Sequence, residues 1–126
     1  MKTIYLAADG DDVGRTIEFF IVMEQIEKLS DFSKSYNAAM IWLSEKLTKN
    51  FAAKIIFSGG DSLLVSSLLD EPLIDNLEQL RVEFFNHSQT TISFGIGDNP
   101  RQAYFALKLA KASGKNRIEI FKEFIK

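Results

Sequence analysis

The sequence of 126 residues contains no cysteine and a single histidine, His87. The absence of cysteine excludes disulfides, thiolate metal sites and cysteine nucleophiles. One histidine excludes a metal site built from several histidines of one chain. No apolar run approaches the ~18 residues that a membrane span requires, and the N-terminal segment turns acidic too early for a signal peptide. We therefore expect a cytoplasmic protein without a membrane partner.

A strong excess of charge of one sign is also lacking. The chain has 15 Lys and Arg residues against 17 Asp and Glu residues, which gives a net charge of −2. Stable binding of DNA or RNA is therefore not expected. Hydrophobic residues make up 46% and charged residues 25%, which is ordinary for a folded domain and argues against disorder. The length predicts one domain covering residues 1–126.

Short apolar runs between turn signals predict the strands. They cover residues 3–8, 54–57, 62–67 and 91–97, with a short last strand at 117–121. Ser58-Gly59-Gly60-Asp61 predicts a tight turn that joins the second and third strands as a hairpin. Apolar residues alternate with small or polar ones from Thr91 to Gly97, which predicts a half-buried strand.

Apolar residues at helical spacing fill the segments between the strands. The first helix is predicted over 12–29, and a second helix begins at Ser30 or Asp31. Asp70 is expected to cap a third helix, with Pro72 in its first turn. Asn99-Pro100 opens a fourth helix that Gly114 closes, and a small helix is expected at the C-terminal tail.

This order of elements predicts an α+β, ferredoxin-like fold with a split βαβ unit. We expect an antiparallel sheet with the helices packed on one face. In such a sheet the first strand lies beside the hairpin, so the end of the first strand and the hairpin turn are neighbours. Residues far apart in the sequence are then brought to one end of the sheet.

Acidic residues occupy both of these neighbouring ends. Asp9-Gly10-Asp11-Asp12 follows the first strand, and Gly59-Gly60-Asp61 lies in the hairpin. Carboxylates brought together in this way form a hard-oxygen site of the kind that binds Mg²⁺ and phosphate oxygens. Glycines allow a triphosphate to approach the backbone. The alternative is that both segments are only acidic, glycine-containing turns, which are common.

Three lysines, Lys108, Lys111 and Lys115, are a further candidate element. Lys111 and Lys115 are four residues apart, so we expect them on one face near the C-terminal end of the fourth helix. Lysines at this end of a helix suit its dipole. They are equally suited to bind a triphosphate as mobile positive charges, and the sequence alone leaves both explanations open.

Four segments occur in an order and at a spacing that are typical of a known family. The segments are Asp9-Gly10-Asp11-Asp12-Val13-Gly14, Ser58-Gly59-Gly60-Asp61-Ser62, residues 91–97, and Ala110-Lys111-Ala112-Ser113-Gly114-Lys115-Asn116-Arg117. They resemble the palm-type nucleotide cyclases, which include the GGDEF domains and the polymerase palm of type III CRISPR effector subunits, and the short free-standing form resembles the minimal CRISPR polymerases. The resemblance extends from Ile4 to about Ile118.

The resemblance implies a polymerase or cyclase palm and roles for particular residues. Asp9 and Asp61 would be the catalytic acids and metal ligands, assisted by the Gly10 carbonyl, with magnesium or alternatively manganese as the cofactor. Lys111 and Lys115 would bind the triphosphate. Asp11 or Asp12 would either hold the ligand-binding residues in place without contacting the ligand, or orient the attacking hydroxyl. The remaining expected nucleotide-binding residues are Val13, Gly14, Gly59, Gly60 and Ser62.

Two positions depart from the pattern of these relatives. The residue after Asp61 is usually acidic in them but is Ser62 here, which either leaves the second metal to other ligands or weakens activity. The Asn and Asp that read guanine in diguanylate cyclases fall, counted without gaps, at Ile17 and Ile26. An isoleucine cannot hydrogen-bond a base edge, so this difference favours adenine over guanine.

We therefore expect a magnesium-dependent cyclase that makes a cyclic di- or oligoadenylate signal from ATP in antiphage defence. A domain of this size offers one nucleotide site, so joining two nucleotides predicts a two-fold homodimer. A separate effector protein would respond to the product. The alternatives are a diguanylate cyclase using GTP, a non-catalytic nucleotide-binding module, and an interaction domain without ligands.

Overall fold

The computed structural model describes residues 2–68 and 73–122. These residues form five strands and four helices. Their bounds are β1 Thr3–Gly10, α1 Val13–Val22, α2 Ile26–Phe51, β2 Lys54–Gly59, β3 Ser62–Leu68, α3 Leu73–Ser88, β4 Ile92–Gly97, α4 Pro100–Ala112 and β5 Ile118–Ile120. The expected α+β fold is confirmed. The predicted cap at Asp70, the proline at Pro72 and the tail helix after residue 122 lie outside the described residues.

The five strands form one sheet in the order β2-β3-β1-β4-β5. Strand β1 lies at its centre and pairs with the hairpin strand β3, as predicted. The expectation of a fully antiparallel sheet is wrong at its edge, because β5 runs parallel to β4. The chain between these two strands passes through a complete helix, α4, and a helical crossover returns the chain in the parallel direction.

Helices cover both faces of the sheet, so the expectation of helices on one face is also wrong. Alternate residues of β1 pack on opposite sides: Leu6 belongs to a core shared with α2 and α3, and Ala7 packs against α4. Strand β4 is buried along its entire length rather than half-buried, because α4 covers the face that was expected to be open. On this face Gly95 and Gly97 lie directly against α4.

Gly95 in β4 shows how closely α4 approaches the sheet. A Cβ atom at this position would lie 2.2 Å from the Ala103 carbonyl oxygen and 2.2 Å from the Leu107 nitrogen. Real Cβ atoms do not tolerate such distances from backbone atoms, so only glycine fits here. This close contact sets the distance between α4 and the sheet, including the end of β1.

The boundary between the first two helices differs from the prediction. Helix α1 ends at Val22, and α2 begins at Ile26, before the predicted start at Ser30 or Asp31. Glu24 adopts a left-handed conformation with φ of 53°, and the Gln25 N–H donates to the Phe20 carbonyl at 2.8 Å. This is a helix C-cap of the Schellman type with glutamate where glycine is usual.

Two predicted turns and caps are confirmed. Gly60 and Asp61 form the turn between β2 and β3, and Gly60 has a φ of 57°. The Asn99 side chain caps α4 by accepting a hydrogen bond from the Gln102 N–H at 2.9 Å, and Gly114 follows the helix with a φ of 119°. None of the helices in the described residues has the length and apolar character needed to cross a membrane.

Candidate functional site

Asp9 lies at the end of β1, directly opposite Ser62 of β3. One of its carboxylate oxygens, Oδ1, accepts a hydrogen bond from the Ser62 hydroxyl at 2.8 Å. The other, Oδ2, lies 3.1 Å from the Lys111 ammonium, and about a quarter of the Asp9 side chain is exposed. The side chain therefore points to the α4 face of the sheet and remains reachable from solvent.

Asp61 lies in the hairpin turn next to this position. Its carbonyl oxygen accepts the Gly10 N–H at 3.0 Å and the Tyr36 hydroxyl at 3.3 Å. Tyr36 is buried, and its pKa is raised well above the ordinary value, first by burial and then by the negative charges of Asp61 and Asp9. The pairing of Asp9 with Ser62 and the hydrogen bond between Gly10 and Asp61 place both acids at the same end of the sheet.

The ammonium of Lys111 is surrounded by oxygen atoms at this end of the sheet. It donates to the carbonyl oxygens of Asp9 at 3.1 Å and Gly10 at 2.9 Å and to Oδ1 of Asp11 at 2.7 Å. Together with Asp9 Oδ2, these atoms form a set that already binds a cation. Carboxylate and carbonyl oxygens are also the ligands that Mg²⁺ prefers. The described residues contain no group of three or more carboxylates or histidines arranged to bind a metal.

Asp11 is buried, and both of its carboxylate oxygens are used within the protein. Oδ1 accepts from Ser93 and Lys111, each at 2.7 Å, and Oδ2 accepts from the Thr91 hydroxyl at 2.7 Å and the Asn116 N–H at 2.9 Å. Burial raises the pKa of this carboxyl, but the hydrogen bonds outweigh it and hold the pKa below its ordinary value. Asp11 therefore ties β4 and the segment after α4 to the end of β1.

Asp12 is on the opposite, exposed side of the same loop. It adopts a left-handed conformation with φ of 57° just before α1 and accepts a hydrogen bond from the Lys115 ammonium. This bond is the main reason why the pKa of Asp12 is lowered. The expectation that Lys111 and Lys115 share a helix face is wrong, because α4 ends at Ala112. Lys115 instead has a φ of 63° in the following loop.

A cavity of about 720 Å³ opens between α1, α2 and the hairpin turn. Gly60 and Asp61 form its edge on the sheet, and Val13 and Gly14 form part of its wall. A Cβ atom built on Gly60 or Gly14 would meet nothing within 4 Å, so the backbone is open to a ligand at both positions. Ile17 and Ile26 also line this cavity, and its volume lies within the range of small-molecule sites.

The structure thus brings most of the candidate residues to one end of the sheet but divides them between its faces. Asp9, Ser62 and Lys111 line a second cavity on the α4 side. Gly59 lines neither cavity; a Cβ atom there would lie 2.9 Å from the Phe57 ring. The expected role of Gly59 in nucleotide binding stays a prediction.

Sequence reasoning assigned no site role to Tyr36, Thr91 or Ser93. Tyr36 lies in a helix that was predicted only from its apolar spacing, and Thr91 and Ser93 belong to the small or polar residues that alternate with apolar ones in the fourth strand. The three residues are 25 to 82 positions away from the acids that they contact. Their hydroxyl groups are the only signal in the sequence, and this signal becomes informative when the packing partners are known.

Several solved structures have a similar fold. The GGEEF domain of a diguanylate cyclase from Vibrio cholerae aligns over 98% of this chain and 85% of its own, with a TM-score of 0.65 and 15% identity. The GGDEF domain of DgcB from Caulobacter crescentus aligns over 96% and 79%, with a TM-score of 0.65 and 17% identity. A Csm1–Csm4 cassette in complex with cA4 aligns over 93% of this chain but only 20% of its own, with a TM-score of 0.65 and 19% identity.

None of the curated protein sequences is significantly similar to this chain. The family model described as the minimal CRISPR polymerase domain, in contrast, matches residues 5–121. The family and the fold together support a nucleotide cyclase or polymerase type of activity. Because the match covers nearly the entire sequence, the chain belongs to the minimal CRISPR polymerase domain family.

Proposed function

We propose that this protein is a magnesium-dependent nucleotidyltransferase that makes a cyclic di- or oligoadenylate signal from ATP. One observation carries the proposal: oxygen atoms of Asp9 and Gly10 already hold the Lys111 ammonium at the strand end that adjoins Asp61. A cavity of nucleotide size begins at that same turn. Family membership supports the wider proposal that the product acts in antiphage defence.

The donor atoms suit a hard divalent cation. In the proposal, the carboxylates of Asp9 and Asp61 and the Gly10 carbonyl hold Mg²⁺, or alternatively Mn²⁺. A bound cation of this kind supplies charge neutralisation at a phosphate and lowers the pKa of an attacking hydroxyl. The Lys111 ammonium provides the test of fit, since a positive charge is already accepted by the oxygens of Asp9 and Gly10.

The reaction that we propose is the attack of the ribose hydroxyl of one ATP on the α-phosphate of another. A new ester bond forms between the ribose oxygen and the α-phosphorus, the bond from the α-phosphorus to the bridging oxygen breaks, pyrophosphate leaves, and the hydroxyl proton passes to solvent. Lys111 and Lys115 bind the triphosphate, and Gly60 lets it approach the hairpin backbone. The protein contributes positioning and charge stabilisation rather than a covalent intermediate.

The wall of the cavity between α1 and α2 supports adenine as the base. Ile17 and Ile26 line it, and neither side chain has a donor or acceptor for the edge of guanine. Neither isoleucine can therefore select guanine by hydrogen bonding. Parallel incubations with labelled ATP and GTP test this choice: faster conversion of GTP would favour the alternative, a diguanylate cyclase.

A cyclic product requires each nucleotide to act once as donor and once as acceptor. We therefore include in the proposal a two-fold homodimer that brings two donor sites together, and a separate effector protein that responds to the product. Light scattering with and without ATP measures the first of these. A chain that stays monomeric during synthesis would remove the dimer from the proposal.

The decisive experiment is incubation of the purified protein with ATP and Mg²⁺, with the products resolved by mass and nuclease sensitivity. A cyclic adenylate and free pyrophosphate are expected. One observation favours a second candidate, a non-catalytic nucleotide-binding module: Ser62, where relatives carry an acid, donates a hydrogen bond to the Asp9 carboxylate. Tight ATP binding without pyrophosphate release would support that module.

A further inference from the structure

Arg81 of α3 is a charged side chain that the proposed reaction does not use. Only 15% of its side chain is exposed, although arginine is rarely buried unless it is paired. Its Nε and Nη2 atoms donate to Oε1 of Glu78, one turn earlier on the same helix. Its Nη1 atom donates instead to Asn116, which lies 35 residues further along the chain. The guanidinium therefore joins α3 to the segment that follows α4.

Asn116 is held from two sides. Its carbonyl oxygen accepts from Arg81 at 3.2 Å, and its side-chain oxygen Oδ1 also accepts from Arg81. Its backbone N–H donates to Oδ2 of Asp11 at 2.9 Å and to the Ser93 hydroxyl oxygen at 3.0 Å. The oxygens of Asn116 are thus bound by α3, whereas its N–H is bound by the ends of β1 and β4.

The backbone around Asn116 has a conformation that side chains disfavour. The φ angles are 119° at Gly114, 63° at Lys115 and 51° at Asn116. Successive left-handed residues that carry side chains persist only where their surroundings impose the conformation, and such strain is concentrated at ligand sites. In this conformation the Lys115 ammonium donates to Asp12 in the loop after β1. The contacts of Asn116 therefore bear on where Lys115 lies.

We propose that Arg81 is a positioning residue for the triphosphate. It holds Asn116 in its left-handed conformation, and this conformation keeps the Lys115 ammonium at the acidic end of β1. The inference rests on the proposed function, in which Lys115 binds the triphosphate. Arg81 acts on the nucleotide only through the segment that carries Lys115, so α3 contributes to nucleotide binding without lining the nucleotide cavity.

A double-mutant cycle tests this indirect action without requiring turnover. Calorimetric titration uses α,β-methylene-ATP with Mg²⁺, an analogue whose bridging carbon is not cleaved in the transfer. The dissociation constant is expected to rise about fivefold in Arg81→Gln and about tenfold in Lys115→Gln, which loses a charge-assisted contact with phosphate. The double variant should bind about as weakly as Lys115→Gln alone. A rise equal to the product of the single effects, about 50-fold, would overturn the proposal.

Arg101→Gln is the matched control for the loss of one positive charge. Arg101 is exposed near the start of α4, about 15 Å along the helix from Lys111. Its removal should change the dissociation constant by less than twofold. If Arg101→Gln and Arg81→Gln weaken binding equally, the net charge rather than the position of Arg81 is responsible, and the proposal is wrong.

Steady-state kinetics separate positioning from a general loss of structure. Arg81→Gln should raise KM for ATP about fivefold and leave kcat within about twofold, since Asp9 and Asp61 keep their places. A fall in kcat with an unchanged KM would contradict the assignment. If Arg81→Gln does not fold, Asn116→Ala removes the side-chain oxygen from the other partner and should give the same rise in KM.

Hydrogen exchange tests the contact independently of nucleotide binding. The backbone N–H of Asn116 should exchange about tenfold faster in Arg81→Gln, whereas the Gly10 N–H, which donates to the Asp61 carbonyl, should keep its rate. Unchanged exchange at Asn116, or equal acceleration at both amides, would refute a local role of Arg81. If the wild-type protein does not bind the ATP analogue, the proposed function fails, and exchange still decides whether Arg81 holds this segment.

Discussion

Asp11 and Asp61 lie at the same end of the sheet but differ in what their carboxylates can do. Asp11 is 5% exposed and accepts hydrogen bonds from Ser93, Lys111, Thr91 and Asn116. The Asp61 carboxylate has no hydrogen bond or salt bridge within the described ranges 2–68 and 73–122. Hydrogen-bond saturation, rather than acidity or position in a motif, thus separates a supporting acid from one that is available to a ligand.

Asp61→Asn tests the contrast between Asp61 and Asp11, and it is the variant for which we expect the largest effect. We expect the rate of product formation to fall by at least about 100-fold, because a charge that stabilises the transition state is removed. The thermal midpoint should stay near the wild-type value, since the carboxylate has no partner within the described residues to lose. Pyrophosphate release and calorimetry measure the two quantities.

Asp75→Asn provides the control, because Asp75 is an exposed acid in the first turn of α3. Its activity should equal that of the wild type. Product formation by Asp61→Asn at more than about a tenth of the wild-type rate would contradict the assignment of Asp61.

Asp11→Ala should behave in the opposite way to Asp61→Asn: its main effect should be a lower free energy of unfolding. It leaves the Lys111 ammonium without its closest carboxylate and removes the acceptor from the hydroxyls of half-buried Thr91 and buried Ser93. Breaking a largely buried ion pair of this kind costs about 3 kcal/mol of unfolding free energy. Urea unfolding measures it. A variant as stable as the wild type would show that this network contributes little.

The lowered pKa of Asp11 also predicts a dependence of stability on acid. Because the folded pKa lies below the ordinary value of 3.8, the unfolded chain takes up the proton first as the pH falls. The contribution of Asp11 is therefore complete above the unfolded pKa and is lost as the pH falls through the folded pKa. Urea midpoints measured from pH 7 to pH 3 should fall less in Asp11→Asn than in the wild type. If the urea midpoints of the two proteins fall equally with pH, the Asp11 carboxyl is not the cause of the loss of stability in acid.

The smallest expected effect comes from Tyr36→Phe, which removes the hydroxyl that donates to the Asp61 carbonyl. The Gly10 N–H still satisfies that carbonyl, so the cost should be about 1 kcal/mol. A small shift of the hairpin turn should lower kcat severalfold and leave KM for ATP nearly unchanged. A change in KM alone would indicate that Tyr36 acts through the cavity rather than through the turn.

Much of the fold could be predicted because its signals are local. The short apolar runs of β1 and β3, the turn at Gly60 and the cap at Asn99 each depend on a few neighbouring residues. The start of α2 could not be predicted, because the left-handed cap residue is Glu24 rather than glycine. The buried second face of β4 also escaped prediction, since a glycine under a helix and a glycine facing solvent look the same in sequence.

The candidate site, like the fold, could be predicted only in part. The acids and lysines were identified from their motifs, and the pairing of β1 with β3 brings Asp9 beside Ser62. The distribution of the site over two faces was not foreseen, because it depends on α4 packing opposite to α2. The saturation of Asp11 could not be predicted either, since all four of its donors lie 80 to 105 residues away in the sequence.

The bare backbone of Gly95 has a consequence for chemistry elsewhere in the molecule. Helix α4 rests directly on that strand, and it carries Lys111 to the carbonyl of Gly10. A single methyl group added beneath the helix would lift it and withdraw the ammonium from the acids. The absence of a side chain at Gly95 therefore sets how closely α4 lies on the sheet. Through that packing, it also sets the distance between the Lys111 ammonium and the oxygen atoms of Asp9 and Gly10.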